Sequence, residues 1–232
     1  MLVKSKPCRL CANRSTSLQL TSCCLYVERM GRARREWIEG SIYHVFARGS
    51  NRQAIFLNHG DYVEFDMLLA AAIRRHRLDT FGWSLMPNHW HGVFRCPNGG
   101  LSAFMKHLNH RYALRFDQRW RRTAHVFDNR FGAVLQKTEE QFLTTLRYVA
   151  RNPVEAGLCS SPLDARWTSF PATVGLVRAP EYLRVGEILE HFAHDPVHAR
   201  TRFTEFVVDE TFDGSSTSSA SPIDAPRTAV AA

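Results

Sequence analysis

The chain has 232 residues, 44% of them hydrophobic, and 30 Lys plus Arg against 22 Asp plus Glu give it a formal charge of +8. Such a length and apolar content suit one globular domain with tails, and no uninterrupted apolar run approaches the roughly 20 residues of a membrane-spanning helix. The basic balance points to a polyanionic partner without choosing among DNA, RNA and a membrane surface.

The first residues, MLVKSKPCRLCANR, are basic, but Arg9, Asn13 and Arg14 interrupt the apolar residues around them, and no signal-peptide core precedes Met30. A cytoplasmic protein is the simplest expectation. Residues 1–31 show no sustained apolar period and read as an extension, disordered or lying upstream of a start at Met30. Cys8 and Cys11 make half of a zinc motif, but adjacent Cys23 and Cys24 are poorly spaced to complete a tetrahedral site. The working domain is expected over 32–170, followed by an appendage over 171–212 in which VGEILEHFAHD supplies a short helix. A Ser/Ala/Pro-rich disordered tail is expected over 213–232.

Within the domain, SIYHVFAR at 41–48 is rich in β-branched and aromatic residues and ends at Gly49-Ser50-Asn51, which predicts a strand and a turn. A helix comes next over 61–77, with Phe65, Leu69, Ala72, Ile73 and His76 at helical spacing. Residues 80–86 are expected to be extended, Pro87-Asn88 to form a tight connection, and 89–95 to return as a strand. Phe104, Leu108, Ala113 and Phe116 mark a helix over 101–116, and residues 131–137 a further strand. A last helix over 139–151 is expected to stop near Asn152-Pro153. The order β-α-β-β-α-β is that of a ferredoxin-like α+β sandwich: an antiparallel sheet with two helices on one face and the other face free for the last helix.

Two segments carry chemistry. In a strand, alternate side chains share a face, so His89, His91 and Val93 of MPNHWHGVF point one way while Trp90 and Phe94 point toward the helix-covered core. The two imidazoles, about 7 Å apart along the strand, can converge on one ion, although two histidines beside a hairpin are also an ordinary half-buried surface. In the last helix Phe142, Leu146 and Val149 form the packed stripe, and Tyr148 lies about 200° around from Leu146. Thr144, Tyr148 and Asn152, four apart, form a second row. A phenol has an ordinary pKa near 10 and attacks poorly while protonated; a divalent ion beside it polarises a phosphate and stabilises developing charge. The bland alternative is a surface tyrosine covering a flank of the core. Tyr112 competes as nucleophile, but it sits four residues after Leu108 and four before Phe116, on an apolar stripe where a packed tyrosine is the simpler explanation.

Residues 32–170 resemble the IS200-like, REP-associated tyrosine transposases, a branch of the HUH single-strand transposases. The resemblance rests on YHVFARGSNRQAIF (43–56), LMPNHWHGVF (85–94), FMKHLNHRYALRF (104–116), HVFDNRF (125–131), LRYVARNPVEAGL (146–158) and RWTSF (166–170), taken in this order. It implies an HUH nuclease fold, His89 and His91 as metal-binding histidines, Tyr148 as the catalytic tyrosine and Asn152 as the polar residue that completes or supports the metal site. It further implies Mg2+ or Mn2+ as cofactor, single-stranded DNA with hairpin or palindromic elements as substrate, and a covalent 5′-phosphotyrosine intermediate, in a monomer or a homodimer. Trp90 occupies the bulky apolar position between the histidines. Arg115 departs from the pattern, where a second tyrosine is expected.

Arg48, Arg52, Arg111, Arg115, Arg121, Arg122 and Arg130 are the expected DNA contacts, with Trp120 and His125 interleaved for stacking on unpaired bases. The competing functions are an HUH nickase of replication or plasmid transfer and a domesticated protein that binds hairpins without turnover.

Overall fold

The computed structural model describes residues 37–96, 100–128 and 130–209. The expectations for 1–31, with its cysteines, and for 213–232 lie outside these residues. Four strands, β1 (Ile42–Arg48), β2 (Asp79–Met86), β3 (His89–Arg95) and β4 (Gly132–Leu135), form one sheet in the order β2-β3-β1-β4, every neighbouring pair antiparallel. Helices α1 (His59–His76) and α2 (Leu101–Trp120) are the crossovers. This is the ferredoxin-like arrangement that the order of elements implies.

Local chemistry starts and stops these elements. Asn58 caps α1 by accepting from the Asp61 amide at 3.1 Å, while the Asp61 carboxylate accepts from the amides of Asn58 and Leu57 at 3.3 and 2.8 Å. The same buried carboxylate takes Arg119 from α2 at 2.8 Å and the Trp120 indole N–H, so one capping residue also ties the two helices together. α2 therefore runs four residues beyond the expected Phe116. The apolar stripes of the two helices, Phe65, Leu69, Ala72 and Ile73 from α1 and Phe104, Leu108, Tyr112 and Phe116 from α2, pack on Tyr43, Val45, Trp90 and Phe94 of the sheet.

The other face of β2 and β3 is covered by α3 (Glu139–Glu155), so both strands are buried throughout, apart from half-exposed Arg95. Gly82 permits this close approach: a Cβ there would meet Leu146 of α3 and the Ser169 hydroxyl, each at 3.3 Å. Phe142, Leu146 and Val149 are buried in a second core with Phe81 and Val93, as their spacing predicts.

α3 does not stop at Asn152-Pro153. A proline in a last turn forfeits one backbone hydrogen bond, and Pro153 is buried inside the helix; the chain turns out only at Gly157, whose φ of +68° L side chains rarely adopt. Three further helices complete the described chain, α4 (Phe170–Thr173), α5 (Val185–Leu189) and α6 (Pro196–Val208). α5 falls within the expected VGEILEHFAHD. α6 is not among the expected elements, although Asp195 before Pro196 and the spacing of Ala199, Phe203 and Val207 announce it. It packs beside α3, where Arg147 donates to the Phe206 carbonyl at 2.8 Å and Arg151 to those of Val207 and Val208 at 3.1 and 3.2 Å. Cations thus meet the last carbonyls of α6, where its dipole is negative.

Candidate active site

The register of β1 on β3 pairs Arg48 with His89, Phe46 with His91 and His44 with Val93. All six side chains occupy the sheet face beneath α3. His44 and His91, diagonal neighbours across the strands, come into ring contact: His44 Nε2 lies 2.9 Å from His91 Nδ1, and the rings stack with centroids 5.1 Å apart. His89 stands edge-on to His91 at 4.9 Å.

α3 brings its second row onto the same place. Tyr148, half-buried, presents its ring edge-on to His91 at 5.4 Å and to His44 at 5.9 Å. Asn152, one turn later, places Oδ1 3.4 Å from His89 Nε2.

Two amide orientations decide what these atoms offer. The Asn88 amide donates through Nδ2 to the Arg52 carbonyl at 3.3 Å, so its Oδ1, 2.7 Å from His89 Nδ1, accepts. A neutral His89 therefore carries its proton on Nδ1 and leaves Nε2 bare. Asn152 Nδ2 donates to the Tyr148 carbonyl at 3.3 Å, which turns its Oδ1 toward that bare nitrogen. Two acceptors thus face each other with no proton between them. That is unfavourable for the protein alone and suited to a cation between them, since neighbouring ligands of an octahedral ion with ~2.1 Å bonds are about 3 Å apart. His91 Nε2, buried and without a partner among the described residues, is a third available lone pair. Among the described residues no three His, Cys, Asp or Glu side chains gather as a ligand set, so the fitting set is two imidazoles and one carboxamide.

Burial keeps the imidazoles neutral, as ligation requires. It pushes His44 and His89 down to about 4; for His89 the Asn152 contact opposes the shift and the Arg48 charge adds to it. Burial and the neighbouring His44, His89 and Arg48 hold His91 well below the usual histidine range.

Tyr112 lies on the other side of the sheet, fully buried, with its hydroxyl donating to the Ile55 carbonyl. Burial, reinforced by Asp61 and Glu64, pushes its phenol far up. The two candidate tyrosines are therefore in opposite layers.

The arginines divide too. Arg48 and Arg130 line a cavity of about 220 Å3 with Phe46, Asp128, Phe131 and Gly132, beside the histidines. Arg52 lies in the turn after β1, and Arg122, at the end of α2, reaches that turn by donating to Gln53 at 2.6 Å. Arg121 is the exposed C-cap of α2. Arg111 and Arg115 lie on the outer surface of the helical layer, where Arg115 pairs with Glu64 at 2.7 Å; the sheet separates them from the histidines. Of the proposed stacking residues, Trp120 is tied to Asp61 and His125 is exposed.

His44 and Asn88 do not stand out as site residues in the sequence. Asn88 adjoins the histidine motif and has a local signal; His44 becomes visible only once strand register is known.

The IS200-like transposase family model matches residues 38–152, a span that contains His89, His91, Tyr148 and Asn152. No curated protein matches the chain. Among solved structures, the REP-associated tyrosine transposase bound to a REP hairpin is similar over 62% of this chain and 86% of its own, at 18% identity and a TM-score of 0.54. A Deinococcus radiodurans protein provisionally assigned as a transposase aligns over 51% of this chain and 95% of its own, at 13% identity and a TM-score of 0.38. The fold, with its tyrosine-bearing helix laid on the histidine face, and the family match agree: the chain belongs to the IS200-like transposase family.

Proposed function

We propose that the protein cuts and rejoins single-stranded DNA at or beside hairpins of palindromic elements, through a transient covalent link between DNA and Tyr148. The observation that carries this reading is the meeting of Tyr148 and Asn152 with the His89–His91 face, where bare acceptor atoms converge beside a phenol. The similar REP-associated transposase is bound to a REP hairpin, which supports a hairpin as the substrate here.

In the proposed reaction the Tyr148 oxygen forms a bond to phosphorus as the bond from phosphorus to the 3′-oxygen breaks. The phenol gives up its proton and the departing 3′-oxygen gains one, leaving a free 3′-hydroxyl and a 5′-phosphotyrosine. One phosphodiester replaces another, so the same or a different 3′-hydroxyl can reverse the step and be joined. His89 Nε2, His91 Nε2 and Asn152 Oδ1 would hold Mg2+ or Mn2+, which when bound would supply positive charge to polarise the scissile phosphate and stabilise developing negative charge. Asn88 fixes the His89 ring, and Asn152 is braced on the backbone of Tyr148, so ligand and nucleophile share one helical turn. Arg48 and Arg130 are positioned to neutralise the flanking phosphates, with Arg52, Arg121 and Arg122 extending the basic surface. Arg111 and Arg115 would meet only a stem that wraps around the helical layer. Chromosomal DNA as substrate implies action in the cytoplasm, at the nucleoid. No helix of the described residues is long and apolar enough to cross a membrane.

The test is to incubate labelled hairpin-containing single strands with the protein and Mn2+ and to separate the products on a denaturing gel. A covalent adduct is expected with the wild type and none with Tyr148→Phe. Loss of the adduct in Tyr112→Phe alone would overturn the nucleophile assignment. Tight hairpin binding with no adduct would identify a binding protein without turnover, and adducts independent of any hairpin would favour a nickase.

A further inference from the structure

We infer that His44 is a positioning residue for the site: it accepts the hydrogen bond from His91 Nδ1 and so keeps the lone pair of His91 Nε2 turned toward the ligand cluster. This rests on the reading of His91 as a metal ligand.

The contact between the two rings holds one shared proton. His44 Nε2 and His91 Nδ1 are 2.9 Å apart, both side chains are buried, and the rings are nearly parallel, with 23° between their planes. Two buried nitrogens 2.9 Å apart can hold only one proton between them, so that proton belongs to one ring or the other. If His91 Nδ1–H donates, Nε2 of His91 is bare. If His44 Nε2–H donates instead, His91 must carry its own proton on Nε2, where it blocks coordination.

The surroundings separate these two arrangements. His91 Nε2 is buried and has no hydrogen-bond partner among the described residues. A buried N–H without an acceptor is rarer and costlier than an acceptor without a donor, so the arrangement with Nε2 bare is favoured even before any ion binds. The direction of one hydrogen bond between β1 and β3 thus decides whether His91 is a ligand. His89 is set in the same way from the other side, by Asn88 on its Nδ1; each histidine of the motif has its outer nitrogen held and its inner one freed. Phe46 and Tyr148 contact the His44 ring at 5.5 and 5.9 Å between centroids and restrict its rotation.

The experiment compares His44→Gln, whose carboxamide reaches about as far as Nε2, with His44→Leu and with His44→Asn, whose shorter amide does not. In the metal-free full-length protein, two-bond 1H–15N correlations of the His91 ring report which nitrogen bears the proton, and Mn2+ titration monitored by electron paramagnetic resonance gives the affinity. The wild type and His44→Gln are expected to show a bare Nε2. His44→Leu and His44→Asn should gain the Nε2–H form and bind Mn2+ about 10–100-fold more weakly. An Nε2–H signal in the wild type overturns the inference, as does an unchanged spectrum in both His44→Leu and His44→Asn. If His44→Leu fails to fold, His44→Asn against His44→Gln decides alone. Failure of the wild type to bind Mn2+ would remove the ligand reading, and the metal-free spectra would still decide the hydrogen bond.

Discussion

The two faces of the sheet are built from alternate residues of the same strands, yet they arrange their polar groups differently. Beneath α1 and α2, Trp90 and Phe94 pack among leucines and aromatic rings, and the Tyr112 hydroxyl is consumed by the Ile55 carbonyl. Beneath α3, His44, His89, His91 and Asn152 are also buried, but bare acceptors are turned toward one another and His91 Nε2 has no partner among the described residues. A buried polar atom without a partner costs about 1–3 kcal/mol, and the packed face carries such an atom as well in the Trp90 indole N–H; the histidine face differs in that several acceptors converge on one place. That convergence supports the proposal that the histidine face takes a ligand, and it distinguishes the two tyrosines better than their sequence neighbourhoods do.

The sharpest way to break this comparison is to exchange the roles of the tyrosines. Tyr148→Phe should abolish the covalent DNA adduct while leaving the denaturant midpoint nearly unchanged. Tyr112→Phe should retain the adduct but lose about 1–2 kcal/mol of stability, because the Ile55 carbonyl loses its donor. The next effect lies within the histidine motif itself. Trp90→Ala, on the packed face, should cost about 3–5 kcal/mol by equilibrium unfolding, whereas His91→Leu, on the other, should be neutral or stabilising and yet abolish Mn2+ binding.

Acid should act on one face more than the other. His44 and His89, pushed down to about 4, are protonated more readily unfolded than folded. Between about pH 6.5 and 4 the unfolded chain binds the extra protons, so their contribution is present above pH 6.5 and is lost as the pH falls toward 4. The melting temperature should fall across that window, and less steeply in His44→Gln. The smallest effect concerns the arginines. Replacing Arg48 and Arg130 with Gln should reduce the salt dependence of hairpin binding by about one phosphate contact each, while the same change at Arg111 and Arg115 should leave the slope unaltered. An equal loss from both pairs would mean that DNA also runs along the helical layer.

Much of the architecture is legible because its signals are local. Pro87-Asn88 and apolar alternation delimit β3, and the helical phase of Phe142, Leu146 and Val149 separates Tyr148 from the packed stripe. The end of α3 is not legible in this way: Pro153 reads as a stop, whereas one proline in a last turn removes a single hydrogen bond and the left-handed Gly157 ends the helix. α6 escapes the reading despite its Asp-Pro start, and it is the element whose last carbonyls receive Arg147 and Arg151 of the tyrosine helix.

The sequence by itself determined which side chains share a face, since that depends only on periods of 2 and 3.6 residues. It placed His89 with His91 and Tyr148 with Asn152. Only the tertiary structure decided that the two pairs meet, and that His44, 47 residues from His91 in the chain, joins them. The reason is physical: the strand order β2-β3-β1-β4 and the β1–β3 register arise from packing and hydrogen bonding between distant segments, and no periodicity within a single segment records them.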